Sequence, residues 1–229
     1  MQITRRKDGI ETRNRILDVS CKLFAKNGFR NTIHEEICRL ANVNTGSINY
    51  HFQSKENLYI ESWRMAFQQS TSKHPIDGGI APDAPVEKRL HGRILSLMHR
   101  ISDPQNMEFE IVYKEMANPT GLLEEVIREA MEPIKKDMQS LVRELLGDKA
   151  SEMDIQLCEM SIVGQCFNPV VMEKNREKYH KPAAIPPFPL DIDIETMADH
   201  VFRFSMAGMR EICRGLEGGM YGQATLSSV

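Results

Sequence analysis

Twenty-four residues, Thr32 to Lys55 (TIHEEICRLANVNTGSINYHFQSK), limit what this chain can fold into more than any other stretch. Thr32-Ile33-His34-Glu35 matches a capping box, which predicts a helix start at Thr32. Ile37, Leu40 and Ala41 give that helix an apolar side. Asn42-Val43 reads as a turn, because Asn tolerates a left-handed backbone. Asn44 is placed to cap a second short helix, with Ile48 and Phe52 pointing inward at i, i+4. Ser54 caps a third, longer helix carrying Leu58, Trp63 and Phe67. Upstream, Ile16, Ser20, Leu23 and Phe24 predict a helix from Glu11 to Lys26, closed by Asn27-Gly28. Residues 1–11 read as a polar, basic arm before it.

The remaining sequence is also helical in period. His74 to Pro85, HPIDGGIAPDAP, reads as a linker rich in Pro and Gly. A helix fits Pro85 to Ser102, and another fits Gln105 to Ala117. Pro119 suits the first turn of the next, which runs to Leu146 and should kink at the internal Pro133. A further helix fits Met153 to Lys178, with a bend near Asn168-Pro169. The last runs from Ile194 to Leu216, after the proline-rich loop Lys181 to Asp193. No stretch reads as a strand. The expected fold is all-α with about nine helices, divided into an N-terminal domain over residues 1–56, a larger helical domain over 57–218 and a tail over 219–229.

Charge supports that division. Residues 1–64 hold 11 Lys and Arg against 7 Asp and Glu, a balance of +4, while the whole chain stands at −3. A basic head on an acidic body fits a protein whose head alone meets nucleic acid. No apolar run approaches the ~18–20 residues that span a bilayer, and the basic N-terminus lacks a signal-peptide core. Five cysteines in no paired spacing suggest reduced thiols in a cytoplasm.

The second helix of the central pair carries the chemistry for DNA. Thr45, Ser47 and Asn49 are short polar groups able to reach base edges or phosphates. Gly46 lets the backbone come close, and Tyr50 and His51 can donate to phosphate oxygens. Lys55 adds a cation beside the free N–H groups that open the following helix. Ile16, Leu23-Phe24, Gly28-Phe29, Thr32, Ile37, Ala41, Val43, Gly46, Tyr50, Phe52 and Ser54-Lys55-Glu56 together resemble the signature of TetR-family transcriptional regulators. The resemblance implies DNA contacts at Thr45, Gly46, Asn49, Tyr50, His51 and Lys55. It implies backbone contacts at Thr32, Ile33 and His34. Two positions depart from the pattern: Asn42 replaces a turn glycine, and Thr45 replaces a common cation. Tyr113 to Thr120 (YKEMANPT), Ser161 to Phe167 (SIVGQCF) and His200 to Met209 (HVFRFSMAGM) resemble the CecR-like branch. That implies a helical C-terminal domain for dimerisation and effector binding.

A ligand pocket is expected among Trp63, Phe67, Met98, Phe109, Tyr113, Met116, Ile127, Met131, Ile134 and Cys166. Tyr113, Glu115 and Gln165 are its polar candidates, though Glu115 reads first as a cap or surface pair. Met suits irregular apolar cavities, though a Met stripe at helical spacing is commonly plain core. Ser161 and Gly164 on one helix, with Met197, Val201, Phe204, Ser205, Gly208 and Ile212 on the last, form stripes suited to a two-fold homodimer. Packing within one chain is the bland alternative.

No cofactor or metal is expected. Cys158 and Cys166 share a helix face but read as buried, inert thiols. His91 and His99 stand eight residues apart, ~12 Å along a helix and too far for one metal. His180 has no partner in sequence, and no nucleophile, base and oxyanion set is evident. The expected function is a dimeric repressor on a palindromic operator, released by a small apolar or amphipathic molecule. Control by a partner protein or thiol oxidation is the alternative, and an enzyme on a helical scaffold is a more distant one.

Overall fold

The structure, a computed structural model, describes residues 2–179 and 192–218, with side chains described for 8–168 and 192–218. Among these residues there are nine helices and no strand: α1 Gln2–Asn31, α2 His34–Ala41, α3 Thr45–Phe52, α4 Lys55–Lys73, α5 Val86–Ser102, α6 Met107–Ala117, α7 Glu124–Leu146, α8 Glu152–Tyr179 and α9 Ile194–Glu217. The chain divides into two compact units. One comprises Met1–Lys73 with Asp103–Met131, and the other His74–Ser102 with Glu132–Val229.

In the first unit, α1 packs on α2, α4 and α6. Ile16, Phe24, Ile37, Ile48, Leu58, Tyr59 and Ile111 are fully buried in one apolar cluster. Around Tyr59, the Phe24 ring stands edge-on at 4.8 Å and the Phe29 ring tilts in at 5.1 Å. The Glu115 carboxylate gathers several donors. It accepts from the Tyr59 hydroxyl at 3.1 Å, from Thr120 N and Oγ1 at 2.7 and 2.8 Å, and from Gly121 N at 3.0 Å. It thus caps the turn after α6, which takes up residues 118–123. That turn displaces the expected helix start at Pro119: Gly121 has φ 77°, and α7 begins at Glu124.

In the second unit, α5 packs against α8 and α9. Leu90, Ile94, Met98 and Ile101 of α5 are fully buried. The Pro/Gly-rich linker, His74 to Pro85, joins α4 to α5 and packs on α5. Gly78 has φ 68°, and a Cβ there would lie 2.4 Å from the Gly92 carbonyl oxygen. The Ser96 hydroxyl donates to Pro75 O at 2.5 Å. Arg89 pairs with Glu144 at 2.5 Å, and Arg93 pairs with Asp137.

One further expectation changes. Residues 2–11 are not an arm outside the first helix but the opening turns of α1. α7 runs from Glu124 to Leu146 with Pro133 inside it, and α8 runs from Glu152 to Tyr179 across Asn168-Pro169, so neither proline ends its helix. His180, most of the proline-rich loop and the tail from Gly219 lie outside the described residues.

Candidate nucleic-acid interface

The geometry of α2 and α3 is set by local hydrogen bonds. Asn42 adopts the left-handed conformation (φ 51°, ψ 56°), and its N–H donates to the end of α2. Val43 N donates to Cys38 O at 3.0 Å. The Asn44 Oδ1 caps α3, accepting from Ser47 N at 2.9 Å and Ser47 Oγ at 3.1 Å. A Cβ at Gly46 would press on that same oxygen at 3.2 Å, so this glycine leaves room for the cap. Ser54 Oγ accepts from Asn57 N at 3.1 Å and caps α4. The Arg15 guanidinium donates to Ala41 O at 2.7 Å, tying α1 to the end of α2.

With Ile48 and Phe52 buried, the opposite side of α3 faces out. Thr45, Gly46 and Asn49 are exposed, and Tyr50 is 82% exposed. The Tyr50 ring meets His51 edge-on at 4.9 Å, and His51 is half-buried. Ser47 is half-buried, its hydroxyl held by the cap. Lys55 is half-buried with its ammonium 4.4 Å from the Phe29 ring centroid. Burial lowers its pKa, while Glu56 beside it acts the other way.

The start of α2 differs from the expectation. No side chain caps it: Ile33 occupies the cap position, and the helix begins at His34. Thr32 is fully buried, and its hydroxyl donates to Gly28 O at 2.8 Å and Leu23 O at 3.3 Å. Gly28, at φ 77°, breaks α1 and leaves these carbonyls to be satisfied. Thr32 therefore closes α1 and offers no hydroxyl to a phosphate. Ile33 is 54% exposed, and His34 is half-buried with a buried Nε2 lacking a partner.

Sequence reasoning passed over an open groove beside the start of α3. It is lined by Thr12, Arg15, Cys38, Arg39, Asn42, Val43, Asn44 and Ser47. The side chains of Arg15 and Arg39 are both exposed there. Their type was a signal, but no spacing in the sequence links Thr12 and Arg15 to α3.

The residues expected to line a pocket divide between the units. In the first, Trp63 is 1% exposed and stacks on half-buried Phe67 at 5.4 Å. Phe109 is buried, Tyr113, Ile127 and Met131 are half-buried, and Met116 is 72% exposed. In the second, Met98 and Cys166 are fully buried, and Ile134 and Gln165 are half-buried. The Gln165 amide donates to Ser161 O of its own helix at 3.1 Å.

The stripe expected at a dimer contact also sorts by exposure. On α9, Val201 and Ser205 are buried within the unit, Met197 and Ile212 are half-buried, and Phe204 and Gly208 are exposed. On α8, Ser161 and Gly164 are exposed in line with Met153, Leu157 and Met160, which the sequence reading missed. These last three are 62%, 47% and 64% exposed, a contiguous apolar row on a surface helix. The signal was obscured because Ile155, Cys158, Ile162 and Cys166 make the other face of α8 apolar too.

Burial pushes the thiols of Cys21 and Cys166 up to about 12, with Asp18 adding to the effect at Cys21. Cys158 is raised as well, by burial and then by Asp154. Among the described residues no group of three His, Cys, Asp or Glu is placed to hold a metal, and no helix is long and apolar enough to cross a membrane.

Comparison with known proteins bears on both units. Residues 16–61 match the family described as bacterial regulatory proteins, tetR family. Residues 86–209, over half the chain, match the C-terminal domain of the HTH-type transcriptional dual regulator CecR. The HTH-type transcriptional regulator SrpR of Pseudomonas putida is 24% identical over 149 residues, 64% of this chain and 67% of that protein. The probable acrEF/envCD operon repressor of Escherichia coli K12 is 26% identical over 172 residues, 72% and 76% of the two chains. Among solved structures, FadR of Bacillus subtilis in complex with stearoyl-CoA superposes with a TM-score of 0.64 at 17% identity, covering 85% of this chain and 97% of that one.

Proposed function

Since this chain belongs to the TetR family of transcriptional regulators, with a C-terminal domain of the CecR type, we propose that it is a repressor. It binds a palindromic operator as a homodimer and is released by a small molecule. The observation that carries the DNA half of this reading is the outward side of α3. Thr45, Asn49 and Tyr50 stand in solvent there on a helix fixed by Ile48, Phe52 and the Asn44 cap. In a helix-turn-helix the second helix enters the major groove and the first crosses the backbone.

The apolar row on α8, with Phe204 and Gly208 exposed on α9, supports the homodimer. A second copy would remove this surface from water, and small residues at 161, 164 and 208 let helices approach closely. Two α3 helices must then stand one helical turn apart, ~34–36 Å, to enter successive major grooves. A ligand that binds better to another spacing shifts the population away from DNA by its differential affinity alone. FadR carries an acyl-CoA in its solved complex, and an apolar or amphipathic effector for this chain is in keeping with that. Control by thiol oxidation is less well supported, because burial disfavours the reactive thiolate at Cys21, Cys158 and Cys166.

Selection of duplexes from a random library, followed by anisotropy titration, tests the reading. The expected product is an inverted repeat bound by two chains. Recovery of an asymmetric site bound by one chain would contradict it.

A further inference from the structure

The helix read as entering the major groove carries no Lys or Arg of its own: α3 is TGSINYHF. Affinity for a duplex rests largely on cations that displace counterions from phosphates. Neighbouring elements must therefore supply that charge. The open groove at the start of α3, about 660 Å³, gathers some of it. It draws Thr12 and Arg15 from α1, Arg39 from α2, and Asn44 and Ser47 from the opening of α3. Among the described residues no acidic side chain lines it.

Other cations of the first unit are neutralised in ion pairs. Arg13 and Arg64 both meet Glu61, Lys22 meets Asp18, and Lys73 meets Asp103. Arg39 makes no ion pair or side-chain hydrogen bond among the described residues, although Glu35 and Glu36 stand one turn before it on α2. Nor does the end of α2 need it as a cap. Asn42 N donates to Arg39 O, Val43 N to Cys38 O, and Arg15 Nε to Ala41 O. Arg15 engages only its Nε there. Two guanidinium charges thus line one groove with no carboxylate between them, and an anion seated there relieves their repulsion. The positive dipole end of α3 acts in the same direction.

Resting on the reading that α3 enters the major groove of an operator, we propose that this groove seats the sugar–phosphate backbone beside the start of α3. Arg39 is its principal phosphate contact, and the Thr12 hydroxyl is an additional donor. Lys55 stands beyond the other end of α3, a helix of 8 residues and so ~12 Å long. The two cations therefore serve different phosphates. A phosphate contact sets affinity and register and carries no sequence information.

Anisotropy titrations of the full chain against its selected operator, at several salt concentrations, test this. Arg39→Ala, checked for folding by circular dichroism, should weaken the operator and its point-substituted forms alike, about five- to tenfold for each chain engaged. The slope of log affinity against log salt should fall by about one for each chain engaged. Arg39→Lys should restore that slope. Lys149→Ala, which removes an exposed cation outside the groove, should leave it unchanged. Operators carrying one neutral methylphosphonate, scanned along the site, should show a linkage at which Arg39→Ala costs nothing further. Lys55→Ala should be silent at a different linkage.

An Arg39→Ala slope equal to that of the wild type overturns the proposal. So does a loss confined to one base pair, a slope that Arg39→Lys fails to restore, or one shared linkage for Arg39 and Lys55. Inorganic phosphate that displaces the operator better than chloride at matched ionic strength, and only with Arg39 present, would make this a small-anion site instead. The two readings fail differently. Relaxed selectivity in Asn49→Ala beside an unmoved Arg39→Ala slope sinks the groove alone. A wild-type chain that selects no duplex sinks the reading of α3 itself.

Discussion

Two helical surfaces stand exposed among the described residues, and they differ in kind. The outer side of α3 is polar and made of short groups on a backbone pinned by caps at Asn44 and Ser54. The outer side of α8 carries an apolar row, Met153, Leu157 and Met160, beside Ser161 and Gly164, and α9 exposes Phe204 and Gly208 among Arg203, Arg210 and Glu211. Exposure alone does not say what covers a face. A polar face gains by exchanging water for phosphates and base edges, which supply hydrogen bonds in return. An apolar face gains only by removing water, so its partner must be apolar too.

The largest effect should come from placing a charge on the apolar face. Leu157→Glu or Phe204→Glu would bury an unpaired carboxylate at the proposed homodimer contact, at a cost of several kcal/mol. Sedimentation should show the dimer dissociation constant raised by about a thousandfold or more, with helicity kept. A dimer that persists would assign this face another role. On the polar face, Asn49→Ala should cost about 1–3 kcal/mol of discrimination at one base pair and relax selectivity there. Competition binding with point-substituted operators reads this directly. Tyr50→Phe should weaken all duplexes alike by a few-fold, since it removes a backbone contact and no base contact. Lys55→Ala should do the same and reduce the slope of log affinity against log salt by about one. The smallest change belongs to the scaffold. Asn44→Ala should lower thermal stability by about 1 kcal/mol through loss of the α3 cap.

The difference between the faces also explains what the sequence made legible. The turn at Asn42, the caps at Asn44 and Ser54 and the inward pair Ile48 and Phe52 are all local features, so their spacing announces them. The all-α fold followed from apolar periodicity in the same way. Nonlocal features were hidden. The bond from the Thr32 hydroxyl to Gly28 O four residues back is local, but its second acceptor, Leu23 O, is brought to it by the break at Gly28. Lys55 faces Phe29, and Arg15 reaches Ala41, through folding of separate segments. Periodicity told that α9 has an apolar stripe but not that Val201 and Ser205 turn inward while Phe204 turns out. On α8 the apolar residues ring the helix, so no spacing could say which row was left for a partner.

The central claim is that two copies present their α3 helices to one duplex at a fixed separation. Operator duplexes with extra base pairs between the half-sites test it most directly. Inserting about five base pairs rotates one half-site by half a helical turn, since a turn holds ~10–10.5 base pairs. Affinity should then fall to that of a single half-site, with one chain engaged per duplex half. Unchanged affinity and stoichiometry across all spacings would contradict the account.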